Sequence, residues 1–303
     1  MKKINLYWFN RKGRFGNFGD ELGPFIIRKL SDKEIYQIPI PRSSIKLILA
    51  YIKGLILGSY SINIFNKVLK TFILKGRYII SIGSIIGWGS GKRIVWGSGV
   101  LFTNERIDNG LFLAVRGKYS QNRLKELGYP APDIIGDPAL LTPLVYHPTN
   151  IEKAYELGLI LHHTQYEHFA SFEEKHGIKV INVLNEVETV INEINSCKNI
   201  MATSLHGIIV AQAYNIPALW YEYPKIFRIG EDIKFLDYFS SVGISEYKPF
   251  PLFEIDEFDK SNEIMKFETY KELTHINVDL SNIQRSLLKV APFPIIEKYK
   301  TDL

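Results

Sequence analysis

Short apolar runs that suit strands alternate with amphipathic stretches that suit helices, and the alternation stops once and begins again. Ile4–Phe9 predicts a strand, Gly13–Gly19 a glycine-rich turn, and Asp20–Leu30 a helix with Leu22, Phe25, Ile26 and Leu30 on its apolar face. Tyr78–Ile82, Arg93–Trp96 and Leu111–Val115 predict further strands, and Tyr119–Leu127 a short helix closed by Gly128. Pro138, Pro143 and Pro148 punctuate Pro138–Glu156, which reads as a linker. The pattern then restarts: strands at Leu157–Leu161, Lys179–Val183, Asn199–Ala202 and Pro217–Tyr221, with helices at Ser171–Lys175, Glu186–Ser196 and Gly207–Tyr214. Strands joined by helices of this length predict parallel sheets, so the expected fold class is α/β, with two Rossmann-like domains facing a cleft. The domains are expected at residues 1–142, with a basic apolar excursion at 42–77, and at residues 143–275. A tail at 276–303 is expected to form a helix crossing back to the first domain, irregular after Pro292 and Pro294.

Composition excludes several alternatives. With 46% hydrophobic and 23% charged residues over 303 positions, the chain is globular rather than disordered or fibrous. A chain of this length buries roughly 75% of its unfolded surface and needs no metal or disulfide staple. Cys197 stands alone, which excludes an internal disulfide and fits a reducing cytoplasmic setting. The net charge of +5 says little about partners, but its placement says more. No Asp or Glu occurs between Glu34 and Glu105, whereas Arg42, Lys46, Lys53, Lys67, Lys70, Lys75, Arg77, Lys92 and Arg93 do. The longest uncharged run in the most apolar region, Gly54 to Asn66, falls short of the ~20 residues that span a bilayer. No base-reading motif supports a nucleic-acid partner, and His162, His163, His168 and His176 lack metal-site spacing.

Four segments can carry chemistry. Gly16-Asn17-Phe18-Gly19-Asp20-Glu21 lies between a strand and a helix, where Asp20 can cap the helix and Asn17 faces the usual ligand side of an α/β sheet. It is either such a site or an ordinary turn. Gly83-Ser84 and the later Trp96-Gly97-Ser98-Gly99 put small residues after strands, so backbone amides can approach a ligand closely; Trp88 and Trp96 suit either the core or a sugar platform. Val115-Arg116-Gly117-Lys118 offers a planar guanidinium suited to a carboxylate or phosphate, or to an internal ion pair. Thr203-Ser204-Leu205-His206-Gly207 follows a buried strand and opens an apolar helix. Ser204 or Thr203 can cap it, and His206 sits where the helix dipole favours anions.

These pieces, together with Gly136-Asp137-Pro138-Ala139 and Phe235-Leu236-Asp237-Tyr238, resemble the polysaccharide pyruvyl transferase family in kind and in order, over residues 5 to 245. The resemblance implies a two-domain arrangement like that of the GT-B glycosyltransferases, with an acceptor side in the first domain and a donor side in the second. It implies transfer of pyruvate from phosphoenolpyruvate to two hydroxyls of a sugar as a ketal, with no metal or redox cofactor. Carried onto this chain, it puts Arg116, Lys118, Ser204, Leu205, His206, Gly207, Arg228 and Lys234 at the donor and Asn17, Gly83, Ser84 and Trp88 at the acceptor. His206, Asp20 and Glu21 are the expected acid and base. Family members often carry Arg-Leu-His-Gly where this chain has Ser204-Leu205-His206-Gly207, so one phosphate contact passes to Arg116, Lys225, Arg228 or Lys234.

The expected partners are phosphoenolpyruvate and a saccharide acceptor of a surface polysaccharide, free or polyprenyl-linked. The basic apolar stretch is either a peripheral patch for an anionic membrane surface on the cytoplasmic side or a helical excursion packed on the first domain. Two other functions share parts of the pattern. A nucleotide-sugar glycosyltransferase would need a carboxylate such as Glu222 late in the second domain; a non-catalytic assembly factor would keep the basic stretch and lose the anion clamps.

Overall fold

The computed structural model describes residues 3–9, 16–38, 45–73, 77–89, 92–169, 171–223, 232–253 and 257–300. Within them lie two five-stranded sheets, paired in parallel throughout. The first contains β1 (Ile4–Tyr7), β2 (Ile35–Gln37), β3 (Tyr78–Ile80), β4 (Arg93–Trp96) and β5 (Leu111–Ala114), in the order β2-β1-β3-β4-β5. The second contains β6 (Tyr155–Ile160), β7 (Lys179–Ile181), β8 (Cys197–Ala202), β9 (Ala218–Glu222) and β10 (Phe250–Pro251), in the order β10-β9-β8-β6-β7. Counted from its own first strand, each sheet runs 2-1-3-4-5. In such an order the chain reverses direction across the sheet between strands 1 and 3, and a crevice opens at their carboxyl ends. The two switch points are therefore β1/β3 and β6/β8. No sequence repeat announces this shared order.

The helices that matter for the site are α1 (Phe18–Ser31), α2 (Ile45–Ile56), α3 (Ile62–Ile73), α4 (Lys118–Glu126), α5 (Val187–Asn195), α6 (Leu205–Ala213), α7 (Ile233–Val242) and α8 (Leu280–Lys289). Helix α1 buries Phe18, Leu22, Ile26, Ile27 and Leu30 at helical spacing and carries Asp20 and Glu21 in its first turn, Arg28 and Lys29 in its last. Its N-cap is Asn17, whose side chain accepts from the Asp20 amide at 3.2 Å; the cap expected at Asp20 thus falls three residues earlier. Pro24 lies inside the helix, in its second turn.

Helices α1 and α8 tie the halves together. The Phe18 amide donates to the Val183 carbonyl in the loop after β7 (2.6 Å), and Lys29 pairs with Glu188 of α5 at 3.0 Å. From α8, the Leu287 carbonyl accepts from Trp96 Nε1 at 3.0 Å, and Gln284 donates to the Leu140 carbonyl at 2.8 Å. One apolar core runs from Leu6 and Phe18 through Leu157, Ile208 and Trp220 to Leu287.

The first part of the proline-rich segment read as a linker, Pro138–Val145, belongs to that core, whereas 147–154 are mostly exposed and irregular. Pro138–Leu141 forms a short 3-10 turn and Thr142–Val145 one helical turn, with Ala139, Leu140, Leu141 and Thr142 fully buried. Proline is tolerated in a helix's first turn, where its missing N–H would lack an intrahelical partner in any case. Among the described residues, no helix is long and apolar enough to cross a membrane.

Candidate active site

Where α6 begins, three separated segments meet. Strand β8 ends at Ala202; Ser204 is in extended conformation at the N-cap of α6, and Leu205 and His206 start the helix. Ser204 thus occupies the capping position, but its hydroxyl makes no capping hydrogen bond. Thr203 is engaged elsewhere, accepting from the His162 amide at 2.9 Å. Leu205 is buried, and Gly207 lets the helix descend onto Ile160 of β6.

The His206 ring points into the protein. Its Nε2 lies 3.7 Å from Asp137 Oδ2, a distance beyond a normal hydrogen bond. Both atoms are buried, and neither has a hydrogen-bond partner among the described residues. Asp137 is fully buried and holds its other oxygen on the Ala139 amide at 2.9 Å, so its carboxylate is fixed by the turn it caps. Its charge also reaches Tyr238, whose phenol is pushed far up, first by burial and then by Asp137. Gly19, in the first turn of α1, closes the other side: a Cβ there would collide with His206 Nδ1. Glycine is thus required for two helix N-termini to approach this closely.

The two termini differ in charge. The first turn of α6 carries no acidic residue, so its partial positive end favours an anion. The first turn of α1 carries Asp20 and Glu21, both half-buried. Glu21 Oε1 accepts from the Gly16 amide at 2.9 Å and from Trp8 Nε1 at 3.3 Å. Asp20 lies close enough to Tyr7 to help hold its phenol protonated, after burial, the larger cause. Glu21 also lines a cavity of about 500 Å³ between α1 and the loop entering α5, with Trp8, Phe25, Arg28, Leu184 and Glu186 among its walls. His206 is not among those lining residues.

Arg116 corrects a sequence expectation. Read as an anion clamp, it is fully buried, and its guanidinium donates from Nε to Asp237 Oδ2 (3.0 Å), from Nη1 to Ser84 Oγ (2.7 Å) and from Nη2 to the Val100 carbonyl (2.7 Å). Asp237 in turn accepts from the Ser120 amide at 2.9 Å and hydroxyl at 2.6 Å, which fixes α7 on α4. The fork is matched by internal acceptors, so its planar geometry serves an ion pair. The residues expected at the acceptor side are divided accordingly. Ser84 joins Arg116, and Gly83 gives its carbonyl to Ser98 Oγ at 2.7 Å. Asn17 caps α1, and Trp88 is 39% exposed beside Phe9 and Tyr7, with ring centroids at 6.0 and 6.4 Å. Trp96, by contrast, is core.

Of the cationic candidates, Lys118 is exposed at the start of α4 and Lys234 is half-buried over the Phe235 ring. Lys225 and Arg228 lie outside the described residues. Glu222, on which a nucleotide-sugar reading rests, closes β9 and is half-buried, and no observation favours that reading. Among the described residues, no three His, Cys, Asp or Glu side chains gather so as to hold a metal ion. Sequence reasoning gave Asp137 and Asp237 no role. Each sits in a segment that had been singled out, but the group it faces comes from a different part of the chain.

Comparison with known proteins places the chain in a family. The family model described as polysaccharide pyruvyl transferase matches residues 9–225, more than half of the chain, and its span includes Gly19, Asp137 and His206. An uncharacterized protein of Acanthamoeba polyphaga mimivirus is 29% identical over 178 residues, covering 56% of this chain and 62% of that protein, less than two thirds of its length.

Proposed function

The chain belongs to the polysaccharide pyruvyl transferase family, and from that premise we propose that it transfers pyruvate from phosphoenolpyruvate to two hydroxyls of a saccharide, forming a cyclic ketal. The observation that carries the proposal is His206 at the meeting of two helix N-termini, one free of acidic residues and one bearing two.

Phosphoenolpyruvate presents a phosphate and a carboxylate. The phosphate goes to the N-terminus of α6, with His206 and the uncapped Ser204 hydroxyl as side-chain contacts. Because Arg116 is engaged internally, Lys118 and Lys234 take the carboxylate in its place. In the reaction the methylene carbon gains a proton, and one sugar hydroxyl adds to the adjacent carbon while its own proton passes to a base. The bond from that carbon to the phosphate oxygen then breaks. The second hydroxyl closes the ring, and its proton leaves with the phosphate. One acid and one base suffice, each contributing about 10²–10⁴-fold. His206 acts on the donor side; Glu21 or Asp20 acts on the acceptor, whose saccharide fills the cavity between α1 and the loop entering α5. No step calls for a metal or redox cofactor. The two halves then work as a cleft of the GT-B kind, divided at residues 142 and 143, in the cytoplasm, on a free or lipid-linked saccharide.

The test is thermal stability with phosphoenolpyruvate and, separately, with a panel of nucleotide sugars. A ligand at 100 times its dissociation constant adds about 2.7 kcal/mol, a shift of several degrees. The expected result is a shift with phosphoenolpyruvate that His206→Ala removes. A shift with a nucleotide sugar alone would overturn the proposal.

A further inference from the structure

Helices α2 and α3 form a hairpin between β2 and β3, and its outer surface is unlike the rest of the molecule. The turn is closed by the Ser59 and Tyr60 amides, which both donate to the Gly54 carbonyl at 2.7 and 3.2 Å. The Tyr60 ring covers Gly54, where a Cβ would collide with it, and lies 4.7 Å from the Tyr51 ring. The hairpin is thus a built unit with its own internal contact. Its apolar side chains do not all turn inward: Leu49, Ile52, Ile56, Leu57, Tyr60, Ile62 and Ile64 are exposed, Ile56 and Leu57 by 80% and 68%. Seven of the 17 exposed large apolar residues among the described ones fall in these 16 positions, a clustering that scattered surface apolars do not produce. Leu49, Ile52 and Ile56 repeat at i, i+3 and i+7, so they form one stripe along α2.

Charge selects what can cover this stripe. The sequence of the two helices contains Lys46, Lys53, Lys67 and Lys70 and no acidic residue, and the acid-free stretch extends from Glu34 to Glu105. A second copy of the chain would bury the apolar stripe but would bring like charges together with no carboxylate on either side. A bilayer carrying anionic headgroups accepts the apolar residues at its acyl boundary and attracts an acid-free basic segment, whose Lys53 is exposed beside the stripe. Each helix has 12 residues, about 18 Å in length, against a hydrocarbon core of about 30 Å, so the hairpin lies on the membrane and does not span it. The hairpin leaves from the carboxyl end of β2. In a parallel sheet that is the edge from which the site loops after β1 and β3 also leave.

We propose that the α2–α3 hairpin is a docking element for an anionic lipid surface, inserted through Ile56 and Leu57. The inference stands on the hairpin alone and is independent of the reaction assigned above.

The experiment is co-sedimentation of the full chain with phosphatidylcholine vesicles that contain or lack phosphatidylglycerol. Binding is expected to be at least about tenfold stronger to the phosphatidylglycerol vesicles and to weaken as salt is raised. The double substitution Ile56→Asp with Leu57→Asp should abolish binding, whereas Met265→Asp, at an exposed apolar position elsewhere, should not. Replacing Lys46, Lys53, Lys67 and Lys70 with Gln should remove the preference for phosphatidylglycerol. Circular dichroism confirms that each variant is folded. Wild-type binding by the Asp double variant overturns the proposal. So does a dimer, in the absence of lipid, that the same double variant dissociates.

Discussion

Two fully buried carboxylates each face a nitrogen-bearing side chain from the other half of the molecule, and the two pairs are finished in opposite ways. In Arg116–Asp237 the cation comes from the first half and the carboxylate from the second; the two side chains touch at 3.0 Å and the remaining guanidinium donors have acceptors. In Asp137–His206 the carboxylate comes from the first half and the ring from the second, and their facing atoms stand 3.7 Å apart with no hydrogen-bond partner among the described residues. Each pair is fenced by a glycine. Gly117 lies against the Asp237 backbone carbonyl, Gly19 against the imidazole of His206. A pair that is complete within the protein holds architecture together. A pair left open can bind or move something that is not part of the protein.

The largest effect is expected at the closed pair. Arg116→Met leaves Asp237 buried and uncompensated, and unfolding free energy measured by denaturant should fall by about 3–5 kcal/mol. Adding Asp237→Leu should recover most of that loss. If the double variant were no better than the single one, the pair would not be acting as a unit. At the open pair the expected cost is in chemistry as well. Gly19→Ala drives a Cβ into the His206 side chain; a misplacement of about 1 Å costs about 10²-fold in turnover, and overpacking lowers stability by about 1–3 kcal/mol.

Gly117→Ala should show the stability loss without the loss of turnover. Its obstacle is a backbone carbonyl, so overpacking should lower stability by about 1–3 kcal/mol while turnover measured on folded protein stays close to wild type. The smallest effect concerns a histidine that faces no carboxylate. Burial lowers the His275 pKa below its usual 6.5, and Lys271 adds a smaller charge effect in the same direction, against a backbone hydrogen bond that raises it. The fold therefore favours the neutral ring, and this contribution to stability is complete above 6.5. As pH falls from 6.5 toward the folded-state value, the unfolded chain takes up the proton first and stability is lost. Melting temperatures across that window should fall less steeply for His275→Gln than for wild type.

Much of the sheet layout can be read in the chain, because Leu111–Ala114 is short and wholly apolar, and the apolar Ile200-Met201-Ala202 that ends its strand is followed by the small residues Thr203 and Ser204. The edges cannot. Ile35-Tyr36-Gln37 is half-exposed and Phe250–Pro251 has two residues, so neither shows the burial pattern that marks a strand. In the site, His206 is visible because a strand end and a helix start bracket it. Asp137 and Asp237 are not, because the meaning of a carboxylate lies in its partner, and Arg116 is 121 residues away from Asp237. The guanidinium of Arg116 is equally ambiguous in sequence. Its fork suits a ligand carboxylate and an internal one alike, and only the packing of α7 on α4 decides between them.

The hydrogen bond from Trp96 to the Leu287 carbonyl spans 191 residues and has a consequence for how the molecule is made. Translation delivers the first sheet early, yet the indole on its fourth strand in spatial order waits for α8, made 191 residues later. Until then Trp96 is without the carbonyl it donates to and without Phe293, whose ring stands edge-on to it at 5.2 Å. The nascent first half must therefore remain unfinished until α8 has been made, and a frameshift or proteolytic nick just before Leu280 would damage the first sheet as well as the helix it removes.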